Sequence, residues 1–328
     1  MTRNIKFRLT VLLPLLSLAV MATGCSNNKE FVKKIDDFQT SVNLTTTAIG
    51  TYYLELNSFE RELYLQERLL DPSKEVLTTE RNPKDPSKII PTALAGRVFS
   101  AESIKARTDA IRLLGAYGRN LAELAGTDAP ARVAAASKVL GENLGRLGTT
   151  FDNLTGDQTA KKFVAPAGAL SAAFGVIGQL VLEEKRDAAL TKAIQEAAPQ
   201  VRIIIDLLEE DLETVIVLQQ LTGTKAALTE LITYYNKNRQ NLNLEERRKA
   251  LDEIYRAQER YDIAVAFNPS GLMSSLRDAH EALVKYATSD RTPQNLASLV
   301  SSLEVFKERA ETVAAAVSQL HDLKKGTL

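Results

Sequence analysis

From Phe31 to Leu70 the chain sets Phe31, Ile35, Phe38, Val42, Thr45, Ile49, Tyr52, Leu56, Phe59, Leu63, Gln66 and Leu70 at alternating intervals of four and three residues. A run this long without a slip draws one narrow, mostly apolar seam along an α-helix, and an average period of 3.5 makes neighbouring helices coil left-handedly about it. No strand fits the spacing, because a strand returns to the same face every second residue. Lys29 to Leu70 therefore predicts a rod on the order of 60 Å long at about 1.5 Å per residue.

Leu296, Leu299, Leu303, Phe306, Ala310, Val313, Val317 and Leu320 repeat the design at the other end, behind Thr292 as N-cap and Pro293 in the first turn. The two seams can be satisfied against each other or against a second copy of the chain, so a homo-oligomer is open. Shorter helices are legible between them. One starts at Ser100 with Ile104, Ile111, Leu114, Tyr117, Leu121 and Leu124. The next opens at Asp128, and its Gly141, Gly145 and Gly148 share a face that predicts close approach of another helix. Val201 to Leu221 reads as helix, Thr222-Gly223-Thr224 as an interruption, and Lys225 to Leu242 as its continuation. Asn243 with Glu246 forms a capping box for a further helix, which Asn268-Pro269-Ser270-Gly271 ends before the one lined by Leu272, Leu276, Ala279, Leu283 and Tyr286. The expected fold class is all-α: an elongated helical bundle with long coiled-coil-like N- and C-terminal helices, one domain over residues 29–328. Residues 71–99, with four of the ten prolines, predict a long loop that either crosses one end of the bundle or binds a partner.

The first eight residues carry Arg3, Lys6 and Arg8 and no acid, and Leu9 to Met21 is then nearly all apolar. That pattern is a secretory signal peptide. Ala22, Thr23 and Gly24 lead into Cys25, the only cysteine of the chain. These residues resemble the lipobox of bacterial lipoproteins, with Ala22 in the place usually held by a large aliphatic residue. The same small residues also suit an ordinary signal peptidase. The resemblance implies a leader over 1–24, a lipidated Cys25, a tether over 25–28, and attachment to a membrane through that lipid. Ser26 in place of Asp implies sorting to the outer membrane. With its thiol consumed, the exported chain would hold no disulfide and no Cys-based metal or redox centre.

FVAPAGALSAAFGVIGQLVL, residues 163–182, is free of charge and long enough to span a bilayer. Ala165, Ala169 and Ala173 place small residues at membrane-helix spacing. A helix apolar all round is enclosed either by lipid or by a bundle. The bundle is the expected environment, and Phe174, Gly175, Ile177 and Gly178 mark the stretch where core and membrane readings diverge.

The remaining inventory points away from catalysis. His280 and His321 are the only histidines, neither follows a Glu at three residues, and both read as exposed or helix-terminal. No nucleophile elbow, P-loop or dinucleotide fingerprint occurs. Glu209, Glu210, Asp211 and Glu213 read as a solvated helix face, and Tyr234 with Tyr235 as core or rim. Losing the leader leaves the chain about three charges negative, which excludes a basic nucleic-acid binder. No catalytic residue, metal or cofactor is expected. The expected function is that of a membrane-anchored bacterial lipoprotein acting as a non-enzymatic helical scaffold or adaptor for a protein partner in the cell envelope. The alternative is an α-helical pore-forming or membrane-remodelling protein using 163–182, in architecture similar to the α-helical pore-forming toxins.

Overall fold

The computed structural model describes residues 12–76, 79–82, 85–91, 99, 101–126, 162–163, 165–166, 168–170, 172–173, 186–213, 218–267 and 269–325, with side-chain detail from Lys29 onward. Helix α1 (Leu12–Leu70) leads into a hairpin of β1 (Thr79–Asn82) and β2 (Asp85–Pro91). Helices α2 (Ala101–Gly126), α3 (Arg186–Asp211), α4 (Leu218–Asn238), α5 (Leu244–Ala266), α6 (Pro269–Thr288) and α7 (Pro293–Lys325) follow.

Five helices close a ring: α1 packs on α2, α2 on α3, α3 on α6, α6 on α7, and α7 back on α1. Side-chain pairs fix their directions. Gly118 of α2 lies against Gln39 and Val42, while Phe99 just before α2 is held by Asn57, so α2 runs antiparallel to α1. Phe267 meets Tyr52 at 4.4 Å and Tyr286 meets Phe31 at 4.9 Å, so α6 is antiparallel too. Phe306 lies 6.3 Å from Phe38, and His321 reaches Glu55 at 3.1 Å, which makes α7 parallel to α1. The two long seams thus pack on each other within the chain.

The seam of α1 is buried from Phe31 through Leu56, and Leu63, Gln66 and Leu70 are half-buried. Thr45 is tolerated inside because its hydroxyl donates to the carbonyl of Ser41 at 2.9 Å. Leu299, Leu303, Phe306, Ala310, Val313 and Val317 are buried along α7, and the amide of Asn295 donates to Thr292 Oγ1, as an N-cap requires. A second, smaller cluster of Leu228, Leu231 and Ala257, with Leu70, Ile254 and Tyr261 against it, holds the α4–α5 hairpin to the end of α1.

Several local expectations need correction. The 71–99 connection contains an antiparallel hairpin in which Thr79 pairs with Pro91, Glu80 with Ile90 and Arg81 with Ile89. The β-branched Ile89-Ile90 makes that local pairing competitive with open loop. Thr222-Gly223-Thr224 does not interrupt a helix, since α4 runs through it. Thr224 keeps helical geometry by donating to the carbonyl of Gln220 at 2.8 Å. Pro269 opens α6 rather than closing α5, so Gly271 lies inside a helix. Close helix approach is provided by Gly115 and Gly118 of α2, whose missing Cβ atoms leave room for Thr46 and Gln39. Gly141, Gly145 and Gly148 lie outside the described residues.

Candidate functional site

Cys25 falls within the span of α1, ahead of the first described side chains. Phe174, Gly175, Ile177 and Gly178 lie outside the described residues. Just before them Phe163, Pro166 and Leu170 are buried, while Ala165, Gly168, Ala169 and Ala172 are exposed. The described residues of 163–173 therefore turn one stripe inward and a face of small residues outward. Small side chains lose little by meeting water, so a low-charge helix still has a usable solvent face. Among the described residues no helix is long and apolar enough to cross a membrane.

The most concentrated polar chemistry sits where α1, α2 and α3 meet. Arg107 of α2 donates from Nε to Asp211 Oδ2 at 2.8 Å and from Nη2 to Asp211 Oδ1 at 2.9 Å, a two-pronged pairing of guanidinium and carboxylate. Tyr53 of α1 donates its hydroxyl to the same Oδ2 at 2.9 Å. Nη1 of Arg107 donates to the carbonyl and hydroxyl oxygens of Ser103, and the guanidinium lies 3.9 Å from the centre of the Phe99 ring. Asn57 clasps the Phe99 peptide, donating to its carbonyl at 2.7 Å and accepting from its amide at 3.1 Å. Arg107 is 1% exposed and Asp211 0%, and burial pushes the Tyr53 phenol well above its ordinary range. Each charged group faces a fixed partner, so the arrangement ties three helices rather than presenting an open nucleophile or acid.

Asp211 corrects the reading of the acidic run as a solvated face. Helical geometry sends its neighbours to different partners: Glu209 pairs with Arg277 of α6 and Glu210 with Lys162. Leu212 and Glu213 then adopt a π-helical turn, the kind of irregularity that redirects a side chain at a helix end. Among the described residues no group of three or more His, Cys, Asp or Glu is placed to hold a metal.

His280 also departs from expectation. It is 2% exposed in the middle of α6, where it shares a 3.1 Å hydrogen bond with the Tyr117 hydroxyl and stands 6.3 Å from the Phe38 ring. Burial lowers its pKa to about 4 and raises that of Tyr117. A neutral imidazole with one partner fits this site as a core residue. His321, near the end of α7, is partly exposed as expected and pairs with Glu55.

A cleft of about 40 Å³ opens where α1, α4, α5 and α7 converge, lined by Tyr52, Glu55, Leu56, Ser58, Glu62, Gln220, Arg260 and Leu320. Tyr52 donates to the Gln220 side chain, and Arg260 pairs with Glu62 at 3.2 Å across the mouth. Burial raises the pKa of Tyr52, and nearby Glu60 adds to the effect. The volume suits a few waters and falls far below the several hundred Å³ of a metabolite site. Sequence reading misses both the cleft and the Arg107 tie, because each joins residues more than 100 positions apart.

No family model matches the chain, and no match is found among curated proteins or solved structures.

Proposed function

We propose that the chain is a bacterial lipoprotein held to the cell envelope, at the outer membrane, by an acyl group on Cys25, and that its bundle acts there as a non-enzymatic scaffold or adaptor for another envelope protein. The junction between leader and rod carries the reading. Lys29 is exposed, Glu30 half-buried and Phe31 fully buried, so the core seam starts six residues after the only cysteine. A lipid there leaves almost no slack, and the rod stands close to its membrane rather than swinging on a linker. Support for a non-enzymatic role comes from the buried charged tie of Arg107 and Asp211, whose hydrogen-bonding capacity is directed at fixed neighbours.

Palmitate labelling of bacteria that express the chain, beside its Cys25→Ser variant, tests the anchor. Label in the chain that disappears in the variant is the expected result, with the variant leaving the membrane fraction. Label that survives the substitution, or absent from both proteins, refutes it. Pulldown of the lipidated protein from detergent-solubilised envelopes should then recover the same protein partner repeatedly.

The outward face of Ala165, Gly168, Ala169 and Ala172 favours a second reading, a pore-forming or membrane-remodelling protein that inserts 163–182. Dye release from vesicles by a chain starting at Ser26, abolished by Phe174→Asp or Ile177→Asp, would put that reading first.

A further inference from the structure

Helix α4 lies alongside α1, with Gly223 beside Leu63, the carbonyl of Ala227 accepting from Gln66 at 3.0 Å, and Leu231 in the cluster that Leu70 joins. Because α1 ends at Leu70, the last turns of α4 project roughly 10 Å beyond it at 1.5 Å per residue. From Ile232 to Arg256 no side chain is buried. Apart from Ile254, which packs against the cluster at the end of α1, the end of the hairpin therefore adds nothing to the core.

The outside of that end, the hairpin's tip, is sorted by chemistry. On α5, Leu244, Leu251 and Tyr255 recur at seven and four residues, within one stripe, and are 77%, 48% and 65% exposed. Arg247 and Arg248 border the stripe, Asp252 and Glu245 lie on the flank beyond Arg248, and Glu253 falls on the other side of the helix. Glu246 is occupied in the capping box with Asn243. Between residues 237 and 249, Lys237, Arg239, Arg247, Arg248 and Lys249 gather against two acids, Glu245 and Glu246, while the rest of the chain holds 36 basic and 39 acidic residues, Asp252 and Glu253 among them. None of the five cations makes a salt bridge among the described residues.

We propose that the tip of the α4–α5 hairpin docks on an anionic phospholipid surface, with Leu244, Leu251 and Tyr255 entering the headgroup region and the five cations meeting lipid phosphates. Charge complementarity selects this occupant. A bilayer interface accepts an apolar-and-basic helix without a matching groove, and each basic residue near an anionic leaflet strengthens binding roughly fivefold. The inference does not depend on the lipid anchor. Cys25 lies on the order of 70 Å back along α1 from Leu70, so with an acyl group there the tip would meet a second bilayer.

A chain starting at Ser26 keeps every described core residue and lacks both leader and acyl group. Flotation of this chain with vesicles of phosphatidylcholine alone, and with about one third phosphatidylglycerol added, reads the inference directly. Binding only to the anionic vesicles is expected, with loss in about 1 M salt, where the screening length falls to about 3 Å. Arg247→Gln, Arg248→Gln and Lys249→Gln together should lower partitioning roughly a hundredfold. Leu244→Ser with Tyr255→Ser should weaken it as well, and both variants should melt like the parent because the positions are exposed. Absence of binding, equal binding to neutral vesicles, or binding indifferent to the triple change overturns the inference. So does self-association in sedimentation that Leu244→Glu abolishes, since a second copy would then occupy the stripe.

Discussion

Replacing Asp211 by Asn changes almost no volume and removes one charge from the centre of the bundle. The new amide oxygen can still accept from Tyr53, but Arg107, 1% exposed and surrounded by Ser103, Phe99 and Tyr53, keeps its charge without an anion. Breaking a buried pair from one side costs about 3–5 kcal/mol, and in a chain of this size that is a fall in Tm on the order of 10 °C. Replacing both members, Arg107→Met with Asp211→Leu, leaves only the hydroxyls of Tyr53 and Ser103 to rearrange and should recover most of the loss. Urea unfolding followed by circular dichroism measures Asp211→Asn beside the cycle of parent, Arg107→Met, Asp211→Leu and the double variant, provided the denaturant slopes agree. A loss below about 1 kcal/mol in Asp211→Asn, or a double variant weaker than the sum of the singles, would refute the account of this tie.

Three further outcomes follow from the packing. His280 is held neutral in the fold, with its pKa at about 4 against an ordinary value near 6.5, so the unfolded chain takes up its proton first. Its contribution is complete above about pH 6.5, falls by about 3 kcal/mol as the pH drops to about 4, and changes no further below that. His280→Phe combined with Tyr117→Phe should flatten this part of the stability profile, and an unaltered slope would contradict the assignment. Gly118→Leu drives a side chain at the backbone of Gln39, 3.4 Å from the Cβ position, and should cost at least about 1–3 kcal/mol. At Gly223 the added atom meets only the end of the half-buried Leu63 side chain, so Gly223→Ala should be neutral or stabilise by up to about 1 kcal/mol. The opposite order of melting temperatures would show that the helix contacts are misplaced. Asn243→Ala removes the side-chain half of the capping box, the 3.0 Å bond that Asn243 Oδ1 accepts from the Glu246 amide, and leaves the 2.8 Å bond from the residue 243 amide to the Glu246 carboxylate without its reciprocal partner. About 1 kcal/mol of local stability should go with it, seen as faster amide exchange at the start of α5 and little change in global melting.

The long helices were legible because their seams use local spacing, which a single chain displays in full. Phe31 to Leu56 and Leu299 to Val317 are buried where their period places them, and the Asn243 cap is read from two residues three positions apart. The limits of α3 and α4 were not legible in the same way. Thr222-Gly223-Thr224 has poor helix propensity, yet Thr224 bonds back to Gln220 and Gly223 gives α4 its close contact with Leu63, so tertiary packing overrides the local preference. The α4–α5 tip hides for the opposite reason. Leu244, Leu251 and Tyr255 have core-like spacing, yet their stripe faces away from Ile254, Ala257 and Tyr261, the face of α5 that meets α4 and the end of α1.

The polar core has a sequence trace of its own. Arg107 comes three residues after Ile104 and four before Ile111, in step with the apolar face of α2. Asp211 comes three after Leu208 in step with the face of α3, and His280 comes four after Leu276 on α6. Each occupies a position where the period calls for an apolar side chain. A charge there is tolerated only if another helix supplies its complement, since an isolated buried ion would be far too costly. One seam-position cation and one seam-position anion in different helices therefore imply each other. In the structure Arg107 and Asp211 supply that complement for each other across 104 residues and tie α2 to α3. At His280 the same condition asks for a neutral donor or acceptor in place of a counter-ion, and the in-step Tyr117 of α2 supplies one.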